Sequence, residues 1–279
     1  DSGTIPMLKE GVSYFGFSSN AMWPAMFVMV ACGAISGFHG LIGSGTTSRQ
    51  LRKEKDAVLV GYGAMLIEGL VAVISIGTLM VIGMEGAKGL SPVQIFSKGF
   101  GKFASLVGID EILGARLGAI AINSFLLTSL DTATRLGRYQ VEEITNNKIR
   151  KYPATILIVA LSLAMVYTKT TDVSGKVIAV WSAIWPIFGA ANQMVAALNL
   201  LAIAAWVQMG LKMSATLAAV PFYFMLATTM YSLVIQFWEK YNVATPNFLL
   251  CTLAEVLFVL GLAMSWTGIA AMVKAEKKL

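Results

Sequence analysis

The side chains best suited to chemistry lie in Ser36-Gly37-Phe38-His39-Gly40-Leu41-Ile42-Gly43-Ser44-Gly45-Thr46-Thr47-Ser48-Arg49, which holds the single histidine of this 279-residue chain. The segment follows an apolar run long enough to enter a membrane. Glycine-interrupted backbone at membrane depth is stable only where it is buried in protein or lines a wet cavity. Imidazole titrates closer to neutral pH than any other ordinary side chain. His39 could therefore carry a proton or bind an anionic substrate; the alternative is a neutral ring held by a backbone carbonyl at a helix break. Ser36, Gly37 and Gly40 join His39 in a candidate substrate or proton pathway.

Other polar groups stand in apolar surroundings, where an ionisable residue costs about 2.5–3.5 kcal/mol on insertion scales. Glu68 sits near the middle of an apolar run, in Gly61-Tyr62-Gly63-Ala64-Met65-Leu66-Ile67-Glu68-Gly69. A carboxyl there must be neutral or paired, as a proton carrier or as a protonated acid bonded to a neighbouring helix. Asp131 and Arg135 are one helical turn apart and can pair. Asn123, Thr128, Ser129 and Thr132 share their helix, and some of these groups must face protein or water. Hydroxyls beside the Asp131 carboxylate suit a hard cation such as sodium, so Thr128, Ser129, Asp131 and Thr132 form a candidate cation site; they serve equally as interhelical glue. Asn192 and Gln193 follow Trp185-Pro186, whose proline leaves backbone carbonyls unmatched one turn earlier. The two amides either satisfy those carbonyls or line a pathway. Arg116 and Glu255 read as structural. The residues show no phosphate-binding loop, no metal-ligand cluster and no nucleophile triad, so neither an enzyme nor a cofactor is expected. The expected coupling ion is H+ or Na+.

The elements that position these residues are membrane helices. The chain is 57% hydrophobic and 13% charged, against roughly 25% charged in soluble domains, and its mean hydropathy is +0.72. Seven apolar segments reach spanning length, about 20 residues each: 22–43, 57–83, 112–136, 152–168, 177–207, 214–237 and 248–272. The fifth is interrupted by Trp185-Pro186 and Gly189. The net charge of +6 is distributed between loops in the manner of a membrane protein, which argues against a nucleic-acid partner. Loops after odd-numbered helices and the C-terminus carry twelve basic residues, and the opposite side carries seven. The positive-inside rule places the richer side, with the C-terminus, in the cytoplasm. Residues 1–21 then form an external loop. In the long connection from Met84 to Glu111, Ser91-Pro92 reads as a helix start. The helix over 91–103 either re-enters the membrane over a substrate path or lies on its surface. Cys32 and Cys251 lie in apolar segments and give no disulfide framework. A chain that begins at Asp1 without a signal peptide reads as a piece of a longer protein.

Four blocks in order resemble the carbon starvation protein A family. They are Ala31-Cys32-Gly33-Ala34-Ile35-Ser36-Gly37-Phe38-His39 with Ser44-Gly45-Thr46-Thr47; Gly61-Tyr62-Gly63-Ala64-Met65 with Glu68-Gly69; Leu130-Asp131-Thr132-Ala133-Thr134-Arg135 with Gly137-Arg138; and Trp185-Pro186-Ile187-Phe188-Gly189-Ala190-Ala191-Asn192-Gln193. The resemblance covers roughly residues 22–210. It implies an inner-membrane secondary transporter of peptides or, as in proton-coupled relatives, of pyruvate. It also implies kinship with the amino acid–polyamine–cation superfamily and its two inverted five-helix repeats. The expected fold is thus an all-α polytopic membrane bundle. Residues 22–207 would be a five-helix repeat with a broken first helix, and 208–279 two additional helices. The implied partners are the substrate, the lipid bilayer, and missing N-terminal helices or a second chain. The rival function is a non-transporting membrane sensor or partner subunit.

Overall fold

Long apolar segments without internal charge fold as helices because every backbone polar group in a bilayer must be satisfied within the segment. The computed structural model describes residues 22–31, 35–171, 177–242 and 248–276; the expected external loop at 1–21 lies outside them. In chain order the helices are α1 (Ala25–Val30), α2 (Gly37–Ile42), α3 (Ser48–Gln50), α4 (Ala64–Ala87), α5 (Pro92–Leu106), α6 (Glu111–Ile144), α7 (Lys151–Tyr167), α8 (Val180–Met209), α9 (Thr216–Tyr241) and α10 (Phe248–Glu276). Two π-helical turns, Gly43–Thr47 and Val58–Gly63, lead into α3 and α4. A short antiparallel hairpin joins α7 to α8, with strands β1 (Lys169–Thr171) and β2 (Val177–Ala179) in the register Lys169↔Ala179.

Among the described residues, five helical stretches are long and apolar enough to cross a membrane: Val58–Gly83, Glu111–Ile144, Val180–Met209, Thr216–Tyr241 and Leu250–Val273. Two of the seven expected spans differ. The segment at 22–43 is divided, since α1 ends at Val30 and α2 starts at Gly37. The fourth forms α7, whose 17 residues reach about 26 Å at 1.5 Å per residue. The expected interruption of the fifth span does not occur: α8 runs unbroken through Pro186 and Gly189. Its packing against α9 and α10 outweighs the one backbone donor that proline removes.

The chain divides into two compact units, Asp1–Leu41 with Ser162–Leu279, and Ile42–Leu161. In the first, α8 is central. Ala190 and Met194 meet Met230 and Leu233, while Ala197 and Leu201 meet Phe222 and Met225, so α8 and α9 run antiparallel. α10 lies parallel to α8, because Gly261 abuts Met194 and Gly268 abuts Leu201. Small residues set these close approaches. About half of the α8 and α9 spans is buried inside the protein.

In the second unit α5 packs between α4 and α6. Its start follows from local chemistry. Ser91 accepts from the Gln94 N–H at 3.3 Å, the Gln94 side chain accepts from the Ser91 N–H at 2.8 Å, and Pro92 occupies the first helical position. This is a capping box. Glycines then let backbones touch: Gly99 lies on Thr78 of α4, Gly101 on Glu111 and Ala115 of α6, and Gly114 on Ala104. α4 bends at Gly83, whose φ of 74° is a backbone conformation glycine adopts without a Cβ penalty. α6 has 34 residues, about 51 Å, and so exceeds a hydrocarbon core of about 30 Å.

Candidate functional site

The break between α1 and α2 is closed by side chains from α8. Ser36 precedes α2 and is buried. Its Oγ lies 3.2 Å from Asn192 Oδ1 and 3.1 Å from Asn192 Nδ2. The Phe38 N–H donates to Asn192 Oδ1 at 2.9 Å and reaches Ser36 Oγ at 3.1 Å. The opening turn of a helix leaves N–H groups without intrahelical partners. Here one of them is shared between its own cap and a residue 154 positions away. Asn192, one of the two amides that could have answered the carbonyls freed by Pro186, thus bonds instead to the start of α2.

Glycine is required at this contact. A β-carbon on Gly37 would fall on the Asn192 carbonyl oxygen, with Val195 Cβ at 2.6 Å. One on Gly40 would collide with the Asn199 amide, whose Cγ would lie at 2.6 Å. Gly37 and Gly40 are three apart and face the same way. Asn192, Val195 and Asn199 follow at i, i+3 and i+7 on one face of α8. Asn199 was not singled out from the sequence. Its Nδ2 is buried without a hydrogen-bond partner among the described residues, and its spacing from Asn192 was the available signal. His39 lies on the far side of α2 from these glycines and is exposed. The hydroxyl-rich turn continues from α2 as a π segment in which Thr46 Oγ1 donates to the Ile42 carbonyl at 2.9 Å. π turns occur often at functional positions.

Gln193 is fully buried on a different face of α8 from Asn192, and neither of its amide atoms has a partner among the described residues. In the other unit, Glu68 is half-buried in α4. On α6, Ser124, Thr128, Asp131, Thr132 and Arg135 form one stripe, with Ser129 to one side and Asn123 on the opposite face. Thr128 and Thr132 donate to the Phe125 and Thr128 carbonyls at 2.8 and 3.0 Å, which leaves their oxygens able to accept. Asp131 and Arg135 form the expected ion pair, at 3.0 Å. Asp131 lies 20 residues beyond Glu111, about 30 Å along the helix, and α6 continues past it to Ile144. Among the described residues, no group of three or more His, Cys, Asp or Glu side chains is gathered as a metal site would need.

A predominantly helical, multi-pass membrane protein with a divided helix docked on polar residues of a long partner is the class that this fold and site define. The chain belongs to the carbon starvation protein CstA family, whose model matches residues 6–90 and 84–232. It is 29% identical over 82% of its length to the peptide transporter CstA of Helicobacter pylori strain J99 and 29% identical over 81% to that of Campylobacter jejuni. It is 26% identical over 64% of its length to the pyruvate/proton symporter BtsT of Escherichia coli K12. These matches cover 42%, 41% and 36% of the three relatives, so the chain spans about two-fifths of their length. No solved structure matches the chain significantly.

Proposed function

We propose that the chain forms part of a secondary active transporter that imports peptides across the inner membrane, coupled to a proton or sodium gradient. The observation that carries this reading is the divided helix α1/α2, closed by Ser36 and Asn192. Carriers of the amino acid–polyamine–cation type bind substrate and ions where helices break near the midplane. The printed names of the relatives, peptide transporter and pyruvate/proton symporter, support the same class. In this reading α1 to α8 are the second of two inverted repeats and α9 and α10 are accessory. The two segments short of spanning length, α1/α2 and α7, complete a seven-helix membrane path with the C-terminus in the cytoplasm. His39 and Glu68 handle protons or substrate charge. The hydroxyls of Thr128, Ser129 and Thr132 with Asp131 hold a cation together with groups from further helices, supplied by an N-terminal half or a second chain.

The test uses the full-length protein in proteoliposomes, with a labelled dipeptide and labelled pyruvate offered separately under an imposed proton or sodium gradient. Gradient-driven accumulation of the dipeptide is expected. Both His39→Ala and Glu68→Gln should lower uptake and change its pH dependence. Accumulation of pyruvate alone would make this a pyruvate carrier. Unchanged uptake and pH profile in both variants would remove their roles. A stoichiometric partner chain recovered in mild detergent, with no substrate binding by the complex, would replace transport with the sensor or partner-subunit reading.

A further inference from the structure

Three helices of the first unit enclose polar groups that α1/α2 does not use. Thr228 and Thr229 are 1% and 0% exposed, Gln193 is 0% exposed and Ser265 is 3% exposed. Their side-chain polar atoms, and Gln236 Oε1, have no hydrogen-bond partner among the described residues. Hydroxyls elsewhere in the chain bond to the carbonyl three or four residues back: Ser75, Thr78, Ser97, Thr134, Thr155, Thr252 and Thr267 all do so at 2.7–2.9 Å. Thr228, Thr229 and Ser265 do not, so these hydroxyls are available to another partner.

The packing register brings the groups within about 7 Å of one another in depth. Met194 shares a cluster with Met230 and Leu233, which sets the adjacent Gln193 level with Thr229 and Ser232 on antiparallel α9. Ser265 lies between Gly261 and Gly268, the two glycines of α10 that touch Met194 and Leu201. On α9, Thr229, Ser232, Gln236 and Glu239 recur at i, i+3, i+7 and i+10, one face of the helix and about 15 Å long. Gln236 Nε2 donates to Ser232 Oγ at 3.2 Å within it. The stripe runs from half-buried Glu239, near the end of α9, to mid-span.

We infer that the space between α8, α9 and α10 is a hydrated site, in which bound water bridges Gln193, Thr228, Thr229 and Ser265 and continues along Ser232 and Gln236 to the membrane surface at Glu239. Water fits because the set mixes donors with acceptors: the Gln193 amide offers two N–H groups beside its oxygen, and each hydroxyl does both. A cation takes acceptors alone, and the interior groups include no carboxylate. Buried water needs two to four such partners. The inference requires only that these helices span a membrane and does not depend on the substrate or the coupling ion.

Cysteine accessibility tests it in the full-length protein with Cys32 and Cys251 replaced by alanine. Thr229→Cys, Ser232→Cys and Leu233→Cys are made singly. The folded protein is exposed to silver ion, and remaining thiols are counted with a maleimide tag after denaturation. Leu233 is 1% exposed, like Ser232, but belongs to the apolar cluster. Thr229→Cys and Ser232→Cys should react at least ten times faster than Leu233→Cys. Equal slow reaction of all three would overturn the inference, leaving a dry polar contact between helices. Protection of the reactive positions by sodium but not by choline at equal ionic strength would also overturn it, because the occupant would then be a cation. Since Ser232→Cys changes one atom and Thr229→Cys is independent of it, a folding defect in one leaves the other to decide.

Discussion

The junction between α2 and α8 makes a quantitative prediction through the Phe38 N–H, which has two acceptors within reach, Asn192 Oδ1 at 2.9 Å and Ser36 Oγ at 3.1 Å. Ser36→Ala removes a cap whose loss costs about 1 kcal/mol, yet leaves Asn192 as acceptor. Asn192→Ala removes its contact with Ser36, about 0.5–1.5 kcal/mol for a neutral hydrogen bond, yet leaves Ser36. Only the double variant orphans the N–H, and a buried donor without a partner costs about 1–3 kcal/mol. The double loss should therefore exceed the sum of the single losses by about 1 kcal/mol, about fivefold in the folding equilibrium. Reversible unfolding of the four proteins in mixed micelles measures the cycle, and Ser36→Thr, which keeps the hydroxyl, should restore most of the loss. Additivity within about 0.3 kcal/mol, the behaviour of independent sites, would refute the shared-donor account and reduce Ser36–Asn192 to a contact without consequence for the start of α2.

Two further perturbations follow from the second unit. Gly99→Leu sets a side chain against the Thr78 backbone, whose Cα and carbonyl oxygen would lie 2.6 Å from the new β-carbon; overpacking of about 1–3 kcal/mol should lower the melting temperature in detergent, and an unchanged transition would show that α5 does not rely on this approach. Asp131→Asn breaks an ion pair whose side chains are 71% and 39% exposed, so its effect on stability should stay within about 0.5 kcal/mol. If the proposed cation site is right, the same variant weakens the sodium dependence of uptake, and intact dependence would remove Asp131 from it.

What could be read in advance was what is local. Ser91, Pro92 and Gln94 carry the start of α5 within four residues, and the structure builds both capping hydrogen bonds. The glycines of residues 37–45 led to an expected break around His39, whereas Gly37–Gln50 is helical throughout and the backbone departs from helix just upstream, at Ile35 and Ser36. The partners of this junction were not legible: nothing in Ser36-Gly37-Phe38-His39-Gly40 indicates Asn192 or Asn199, and only the tertiary fold pairs them. Pro186 misled because proline in isolation breaks helices, whereas here it lies in a span held by α9 and α10. The π turns at Gly43–Thr47 and Val58–Gly63 have no composition of their own that separates them from α-helix. Thr228, Thr229 and Ser265 give no signal in the sequence because single hydroxyls in apolar helices usually bond to their own backbone; their failure to do so appears only with side chains in place.

The two units solve the problem of polar groups in a membrane in opposite ways, and the contrast bears on what the chain must face. α8 and α9 bury about half of their spans within the protein, and Gln193, Thr228 and Thr229 lie inside that buried half. α6 buries about a tenth of its span; Ser124, Thr128 and Asp131 on its polar stripe are exposed, and so is Asn123 opposite. Exposed apolar residues such as Leu127 and Leu130 suit lipid. An amide and a carboxylate do not, because hydrocarbon offers them no hydrogen bonds. An exposed polar stripe on a membrane helix therefore calls for protein or water beside it. In the proposed carrier that neighbour is a further set of helices, and the candidate cation site is where the two would meet.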